Sequence, residues 1–410
     1  MKKLLFSIFA VVLSLNSFGQ GWFQVNDLPG SARHHPCFFT INDTAYCVTG
    51  VTNSGQMLND FYRYDESNDT WISLPDFAGP NRGFAVGLNH QGKGYVGFGV
   101  AGNNSVLRDL WEYDPQTKAW KALKSLNFTA RYHPAFVAKD GKIYVGLGSS
   151  GSSNLNDWWE YDIAGDNWTR KANFPGDRRH HPYYFVAGNE IFVGLGHGNT
   201  SSGVNTIYDD WYKYDPSTDI WTKMGDFPGY ARVAGAHFAY NGKGYIVGGQ
   251  NQSHATPTNN EVWSYTPGTD TWNQLPDCPS GGRWAPGSFV VGNNAYFAFG
   301  EDRFSVSQAD IYQVSMSSII SMEEDLNSKD LEISIFPNPA TSEINIEIDP
   351  KYLGEKVAVE FYSLTGQLLK LSYLENSETK INIEDLAKGL YTLNLKDEKD
   401  LNQSYIITVE

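Results

Sequence analysis

Residues 157–168, Asp157-Trp158-Trp159-Glu160-Tyr161-Asp162-Ile163-Ala164-Gly165-Asp166-Asn167-Trp168, decide the fold of this chain. The aromatic and apolar residues suit a half-buried strand, the four residues before Trp168 suit a turn, and Trp168 opens a second strand. The stretch is one copy of a repeat, because an acidic residue followed 11 residues later by tryptophan occurs five times. The pairs are Asp60–Trp71, Asp109–Trp120, Asp157–Trp168, Asp210–Trp221 and Glu261–Trp272.

The repeat extends beyond each tryptophan with fixed spacing. An arginine follows each tryptophan after 11 residues, and Trp22 starts a sixth such pair; the arginines are Arg33, Arg82, Arg131, Arg179, Arg232 and Arg283. A tyrosine or phenylalanine follows each arginine after 13 residues, at Tyr46, Tyr95, Tyr144, Phe192, Tyr245 and Tyr296. A period of about 50 residues with this content is typical of β-propeller blades.

The variation in repeat length falls in one segment, between the aromatic ring and the next acidic residue, which are 13 to 18 residues apart. Insertions in repeat proteins collect on one face, which is often the binding face. The longest of these segments are residues 196–209 and 250–260, both rich in Gly, Ser, Thr and Asn. We therefore predict that these loops form a wall over the central channel.

The chain predicts a closed ring of six four-stranded blades over residues 20–314. Turn pairs such as Asn42-Asp43 mark hairpins between the first two strands of each repeat. The last repeat has Asp310-Ile311-Tyr312 but carries Ser321 where a tryptophan is expected, whereas Gly21 to Val25 has a fourth-strand pattern without a partner. Pairing these two segments closes the ring and removes two sheet edges, with Trp22 beside Tyr312. The repeated Tyr, Asp-x-Trp/Phe-x-Tyr and Trp resemble the kelch family, although at the end of the second strand only Gly248-Gly249 keeps the adjacent glycine pair.

The two ends of the chain predict export. Residues 1–19 combine Lys2-Lys3, an apolar run and a small-residue cleavage site, as in a signal peptide. Residues 315–330 suit a linker, and residues 331–410 contain about seven short strands that suit a small β-sandwich. This tail resembles the type IX secretion system sorting domain of Bacteroidetes; the matching motif residues include Phe336, Pro337, Asn338, Pro339, Gly366, Gly389 and Tyr391. The resemblance implies the type IX machinery as a partner and a secreted or outer-surface location.

Composition excludes several classes of partner. The formal charge is −15, which disfavours nucleic acid and anionic membranes. No apolar stretch is long enough for a transmembrane segment, and we predict a monomer. Of the three cysteines, Cys37 and Cys47 flank the Asn42-Asp43 turn. A two-residue turn would pair Cys37 with Val48 and Cys47 with Phe38, so that packing explains these thiols better than a disulfide.

The candidate ligand-binding residues lie where one blade connects to the next. Histidine stands two residues after the arginine in repeats one, three and four, close to the predicted channel mouth. Arginine, histidine and aromatic rings around a concavity would suit a glycan, whereas regular recurrence would suit arginines that brace neighbouring blades. Both interpretations stay open for this set: Arg33, His35, Arg82, Arg131, His133, Arg179, His181, Arg232, Arg283 and Trp284.

The sequence favours a binding module over an enzyme. It contains no evident catalytic array, so we predict no catalytic residues and no cofactor. A metal site would need histidines from different blades to converge, and none is predicted. The leading hypothesis is a protein that binds a glycan or another protein on its loop-rich face. The alternative is a sugar-active enzyme, because bacterial sialic acid mutarotases are also kelch-like.

Overall fold

The computed structural model describes residues 21–200, 202–320, 333–348, 357–363, 367–374, 376–396 and 402–410. The chain divides into two compact units, Met1–Ser321 and Met322–Glu410. The predicted signal peptide lies outside the described residues. Within the described residues, no helix has the length and apolarity needed to span a bilayer.

The first unit is built almost entirely of short strands. The first three repeats contain β1 (Trp22–Val25), β2 (Arg33–His34), β3 (Cys37–Ile41), β4 (Thr44–Val48), β5 (Val51–Thr52), β6 (Phe61–Asp65), β7 (Thr70–Leu74), β8 (Arg82–Gly83), β9 (Val86–His90), β10 (Lys93–Gly97), β11 (Val100–Ala101), β12 (Leu110–Asp114), β13 (Ala119–Ala122), β14 (Ala135–Lys139), β15 (Lys142–Gly146), β16 (Trp158–Asp162) and β17 (Asn167–Lys171). A short 3₁₀ helix, Glu66–Asn68, joins β6 to β7.

The last three repeats contain β18 (Arg179–His180), β19 (Tyr183–Ala187), β20 (Glu190–Gly194), β21 (His197–Asn199), β22 (Asn205–Ile207), β23 (Trp211–Asp215), β24 (Ile220–Lys223), β25 (Ala236–Tyr240), β26 (Lys243–Val247), β27 (Asn260–Thr266), β28 (Thr271–Cys278), β29 (Gly287–Val291), β30 (Asn294–Ala298) and β31 (Ile311–Ser315). Six four-stranded antiparallel sheets result, one for each blade. The first strands of successive blades contact one another, and β29 contacts β3, so that the ring is closed around a central channel. The predicted six-bladed propeller is confirmed.

The ring closes between the two ends of the unit. Strand β1 pairs antiparallel with β31, with Trp22 opposite Val314 and Gln24 opposite Tyr312. Trp22 is 4% exposed and belongs to an apolar cluster that includes Val314 and Met316. The N-terminal segment therefore supplies the outer strand of the sixth blade, as the repeat pattern predicts.

Truncation of the closing tryptophan tests this seam. Trp22→Ala is expected to lower the free energy of unfolding by about 3–5 kcal/mol, because it removes a buried indole from the join. Phe23→Ala is the matched control, since the neighbouring ring is 48% exposed and its loss should cost about 0.5 kcal/mol or less. Urea unfolding of both variants measures the difference, and equal costs would contradict the packing role of Trp22.

The predicted linker differs from the structure at its start. Ser315 ends β31, and residues 316–320 are helical. Met316 and Ile319 are buried against the fifth and sixth blades, because their spacing puts both on one side of a helical turn. Residues 315–320 thus belong to the propeller, and residues 321–330 lie outside the described residues.

The three cysteines pack as apolar residues. Cys37 lies opposite Val48, and Phe38 lies opposite Cys47, which is the predicted register. Cys37, Cys47 and Cys278 are all buried and free. The hairpin turn between the two strands has φ of +47° at Asn42 and +54° at Asp43, as a two-residue turn requires.

The second unit contains two sheets with a shared apolar core. Its strands are β32 (Ser334–Phe336), β33 (Glu343–Glu347), β34 (Ala358–Ser363), β35 (Leu368–Tyr373), β36 (Glu378–Asn382), β37 (Gly389–Lys396) and β38 (Asn402–Val409). Asn338 of the sorting motif ties its segment to the last strand, since its amide donates to the Ile406 carbonyl (2.9 Å) and accepts from the Thr408 N–H (2.9 Å). Gly366 lies outside the described residues.

Candidate functional site

One position in each repeat forms a ring at the end of the channel. It lies two residues after the arginine, just before the first strand, and all six members have a positive φ between 50° and 59°: His35, Phe84, His133, His181, Ala234 and Ala285. Their backbones link the blades, because the His35 N–H donates to the Ala285 carbonyl (2.8 Å) and the Ala285 N–H donates to the Ala234 carbonyl (2.7 Å). Among residues other than glycine, histidine is one of the types enriched in this conformation.

The six arginines that precede this ring are structural. Five have fully buried side chains and Arg283 is 5% exposed. Each guanidinium pairs with an acidic residue at the start of the third strand of its blade: Arg33–Asp60 (2.6 Å), Arg82–Asp109 (2.6 Å), Arg131–Asp157 (2.7 Å), Arg179–Asp210, Arg232–Glu261 (2.6 Å) and Arg283–Asp310 (2.7 Å). In five blades the same guanidinium also reaches a backbone carbonyl 16 residues downstream. The expectation that arginines line an open mouth is corrected, since buried pairing occupies them.

Three histidines from different blades meet at the channel axis. The Nε2 atoms of His35 and His181 are 2.9 Å apart, and the rings of His133 and His181 stack with centroids 3.3 Å apart. One ring nitrogen from each residue lies within 4.8 Å of the other two. The sequence argument against a metal site was that histidines from different blades would have to converge. Their shared position in the ring at the end of the channel brings them together. We call His35, His133 and His181 the three-histidine centre.

Further histidines extend this centre toward the loops. The Nδ1 atoms of His34 and His35 are 2.5 Å apart, and those of His180 and His181 are 2.7 Å apart. His180 Nε2 then contacts His197 Nδ1 at 3.0 Å. Sequence reasoning missed His197, which lies in the long loop of the fourth blade. Its position just after the second strand, in the segment where the repeats vary in length, is the feature of the sequence that could have identified it.

Aromatic rings pack against the three-histidine centre. The ring centroids of Trp284 and Phe84 each lie 4.8 Å from that of His35. Burial lowers the pKa of each of the three histidines well below its usual value, and charges on neighbouring histidines would lower it further. The three imidazoles are therefore neutral at pH 7 and offer nitrogen lone pairs.

Below the centre, the first strands of all six blades enclose a channel cavity of about 640 Å³. It extends from the three-histidine centre to the exposed hairpin residues Asn42 and Asp43. Tyr184 and His237, with ring centroids 4.1 Å apart, line it and were not singled out from the sequence. Asp43 is the one acidic residue in the described lining, so this lining offers no pair of carboxylates for acid–base catalysis.

The loops that vary in length lie on the face beyond the centre. In the fourth blade, β21 pairs with β22 to form a projecting hairpin within residues 196–209. Apolar side chains are displayed on these loops, with Val204 58% and Phe304 71% exposed. Trp284 is half-buried between this face and the histidines, and its backbone pairs with Glu301 in the loop of the sixth blade.

Sequence comparison assigns both units. The profile described as Attractin/LZTR1 beta-propeller matches residues 45–300. The chain belongs to the Attractin/LZTR1 β-propeller family. The profile of the secretion system C-terminal sorting domain matches residues 334–409. This member of the Attractin/LZTR1 propeller family is therefore exported to the cell surface or beyond, and its tail engages the type IX secretion machinery.

Two curated relatives of this Attractin/LZTR1-type propeller match over short segments. The N-acetylneuraminate epimerase of Shigella sonnei (strain Ss046) is 34% identical over 56 residues, 14% of this chain and 15% of that protein. The epimerase of Yersinia enterocolitica is 32% identical over 79 residues, 18% of this chain and 20% of that protein. The chain thus spans a fifth or less of these relatives. A solved structure of YjhT is 18% identical, with a TM-score of 0.54 over 61% of this chain and 86% of that one, and shares the fold.

Proposed function

We propose that the exported propeller is a binding module that recognises a glycan on its loop-rich face. The observation that supports it most is the partly exposed Trp284 on the face that carries the loops rich in hydroxyl and amide groups. The apolar face of a sugar ring packs on an aromatic ring, while its hydroxyls exchange hydrogen bonds with Ser, Thr and Asn side chains. Phe304, which projects from the neighbouring loop, offers a second ring.

The burial of the six repeated arginines removes them from the proposed ligand-binding residues. Because each guanidinium of the repeated set is already paired, none of these six arginines is available to a ligand. Arg303, which is outside the set, is exposed and lies over the Phe304 ring, 4.7 Å from its centroid. The ligand-binding set proposed here keeps Trp284 from the sequence prediction and adds Phe304, while His35, His133 and His181 lie buried beneath this face. A hydroxyl-rich glycan fits these groups.

A glycan array tests the binding proposal. Wild type is expected to bind a defined group of glycans, and Trp284→Ala and Phe304→Ala should each reduce that binding at least tenfold, the equivalent of about 1.4 kcal/mol. Ile220→Ala is the matched control, because this side chain is 57% exposed on the outer strand of the fourth blade and should leave binding unchanged. Binding of no glycan, or equal binding by all three variants, would contradict the proposal and direct attention to a protein ligand.

A second candidate is sugar mutarotation, favoured by the short matches to N-acetylneuraminate epimerases. The channel lining described above lacks a carboxylate pair, which makes this the weaker candidate. Exchange between the anomers of N-acetylneuraminate, followed by NMR with catalytic amounts of protein, separates the two. Accelerated exchange that Tyr184→Phe or His237→Gln abolishes would establish the enzyme in place of the binding module.

A further inference from the structure

The three-histidine centre brings one ring nitrogen from each of three imidazoles within 4.8 Å of the other two. Hydrogen bonding alone accounts for two members, because one Nε2–H of the His35–His181 pair can donate to the other Nε2. It does not account for the third. His133 is 9% exposed, and neither of its ring nitrogens has a hydrogen-bond partner among the described residues. A buried unpaired polar group is costly, and two on one ring call for a ligand.

The outer contacts orient the rings toward that ligand. If His35 and His181 bind through Nε2, each carries its proton on Nδ1 and donates it to the Nδ1 of His34 or His180. His180 then donates from Nε2 to His197, which donates in turn to the Asn205 side chain. Every proton in the series from His181 through His180 and His197 to Asn205 has an acceptor. Metal-bound histidines characteristically donate their other ring N–H in this way.

We propose that His35, His133 and His181 bind a divalent first-row transition-metal ion, best matched by Zn²⁺. Three imidazoles without an oxygen ligand suit zinc, copper or nickel and do not suit Mg²⁺ or Ca²⁺. Three protein ligands leave a fourth position open, and the channel cavity that these residues line can supply a water or a ligand oxygen there. This inference is independent of the glycan proposal, because it concerns the buried centre rather than the loop face.

Cobalt substitution tests the site directly. Co²⁺ added to metal-free protein is expected to give visible absorption that saturates at one equivalent and disappears when Zn²⁺ is added. His133→Ala should stay folded, because the His133 ring has no hydrogen-bond partner to lose. Its Co²⁺ affinity should fall by more than the roughly 10–100-fold expected when a residue that only hydrogen-bonds to a ligand is removed. In His180→Ala, which removes the hydrogen-bond partner of His181, the Co²⁺ affinity should fall by roughly 10–100-fold.

His90→Ala is the matched control, because His90 lies in the second blade and its Nε2 accepts from the Gly141 N–H (2.9 Å), away from the centre. It should bind Co²⁺ like wild type. Zn²⁺ should also raise the Tm of wild type and His90→Ala but not that of His133→Ala. Absence of a saturating Co²⁺ spectrum in wild type, or equal affinity in His133→Ala and His90→Ala, would overturn the site.

Discussion

Asp157→Ala is expected to lower the free energy of unfolding by about 4–6 kcal/mol. Stranding the fully buried Arg131 guanidinium costs about 3–5 kcal/mol, and the lost hydrogen bond from Trp159 Nε1 (2.9 Å) adds about 1 kcal/mol. Burial raises the pKa of Asp157, but the hydrogen bonds and charge of Arg131 outweigh it and hold the pKa below its ordinary value. The stability that this carboxylate contributes is therefore fully present at pH 7 and is lost as the pH falls through the folded pKa. Urea unfolding at pH 7 measures the effect.

A double replacement separates the charge from the packing. Arg131→Met combined with Asp157→Leu removes both charges and keeps apolar volume, and it should recover most of the lost stability. The exposed pair Lys223–Asp226 is the control, because both side chains are at least half exposed and Asp226→Ala should cost about 1 kcal/mol or less. A loss of that size for Asp157→Ala would show that the repeated pairs do not brace the blades.

Deletion of residues 331–410 is expected to abolish appearance of the protein at the cell surface and in the medium. The propeller core lies within the first unit, so the truncated chain should fold and accumulate in the periplasm. Immunoblotting of cell fractions measures its location, and resistance of the periplasmic form to protease shows that it is folded.

The reciprocal fusion controls for indirect effects of truncation. Residues 322–410, the second compact unit, attached to an unrelated periplasmic protein should carry that protein across the outer membrane. Normal release of the truncated propeller, or failure of a folded fusion to leave the periplasm, would contradict the role of the tail.

The repeat spacing predicts the architecture because it records the fold directly. Each blade needs an aromatic ring, an acid and a tryptophan at set positions, and the unmatched segment at Trp22 identifies the closing strand. The acid–arginine pairing was also visible in principle, since an acidic residue follows every arginine within the same repeat. The regular recurrence of the arginines suggested this bracing role, and the buried pairs now support it.

The three-histidine centre was harder to predict. His35, His133 and His181 converge because they adopt a positive φ at equivalent ring positions, and the enrichment of histidine in that conformation is too weak a signal to predict it at a given residue. Phe84, Ala234 and Ala285 occupy the other three positions of the ring. Because these side chains differ from histidine, the six equivalent positions are not evident from the sequence. Spacing gave the correct position in each blade, but it did not give the direction in which the side chains point.

The pairing of β1 with β31 has a consequence for the order in which the chain acquires its structure. Among the propeller strands, β1 is synthesised first and its partner β31 last, so that a chain lacking the sixth blade cannot close the ring. Until then two sheet edges stay open, and such edges invite association with other chains. The ring is therefore complete only when all six blades are present, and the same seam afterwards holds both ends of the ring against fraying.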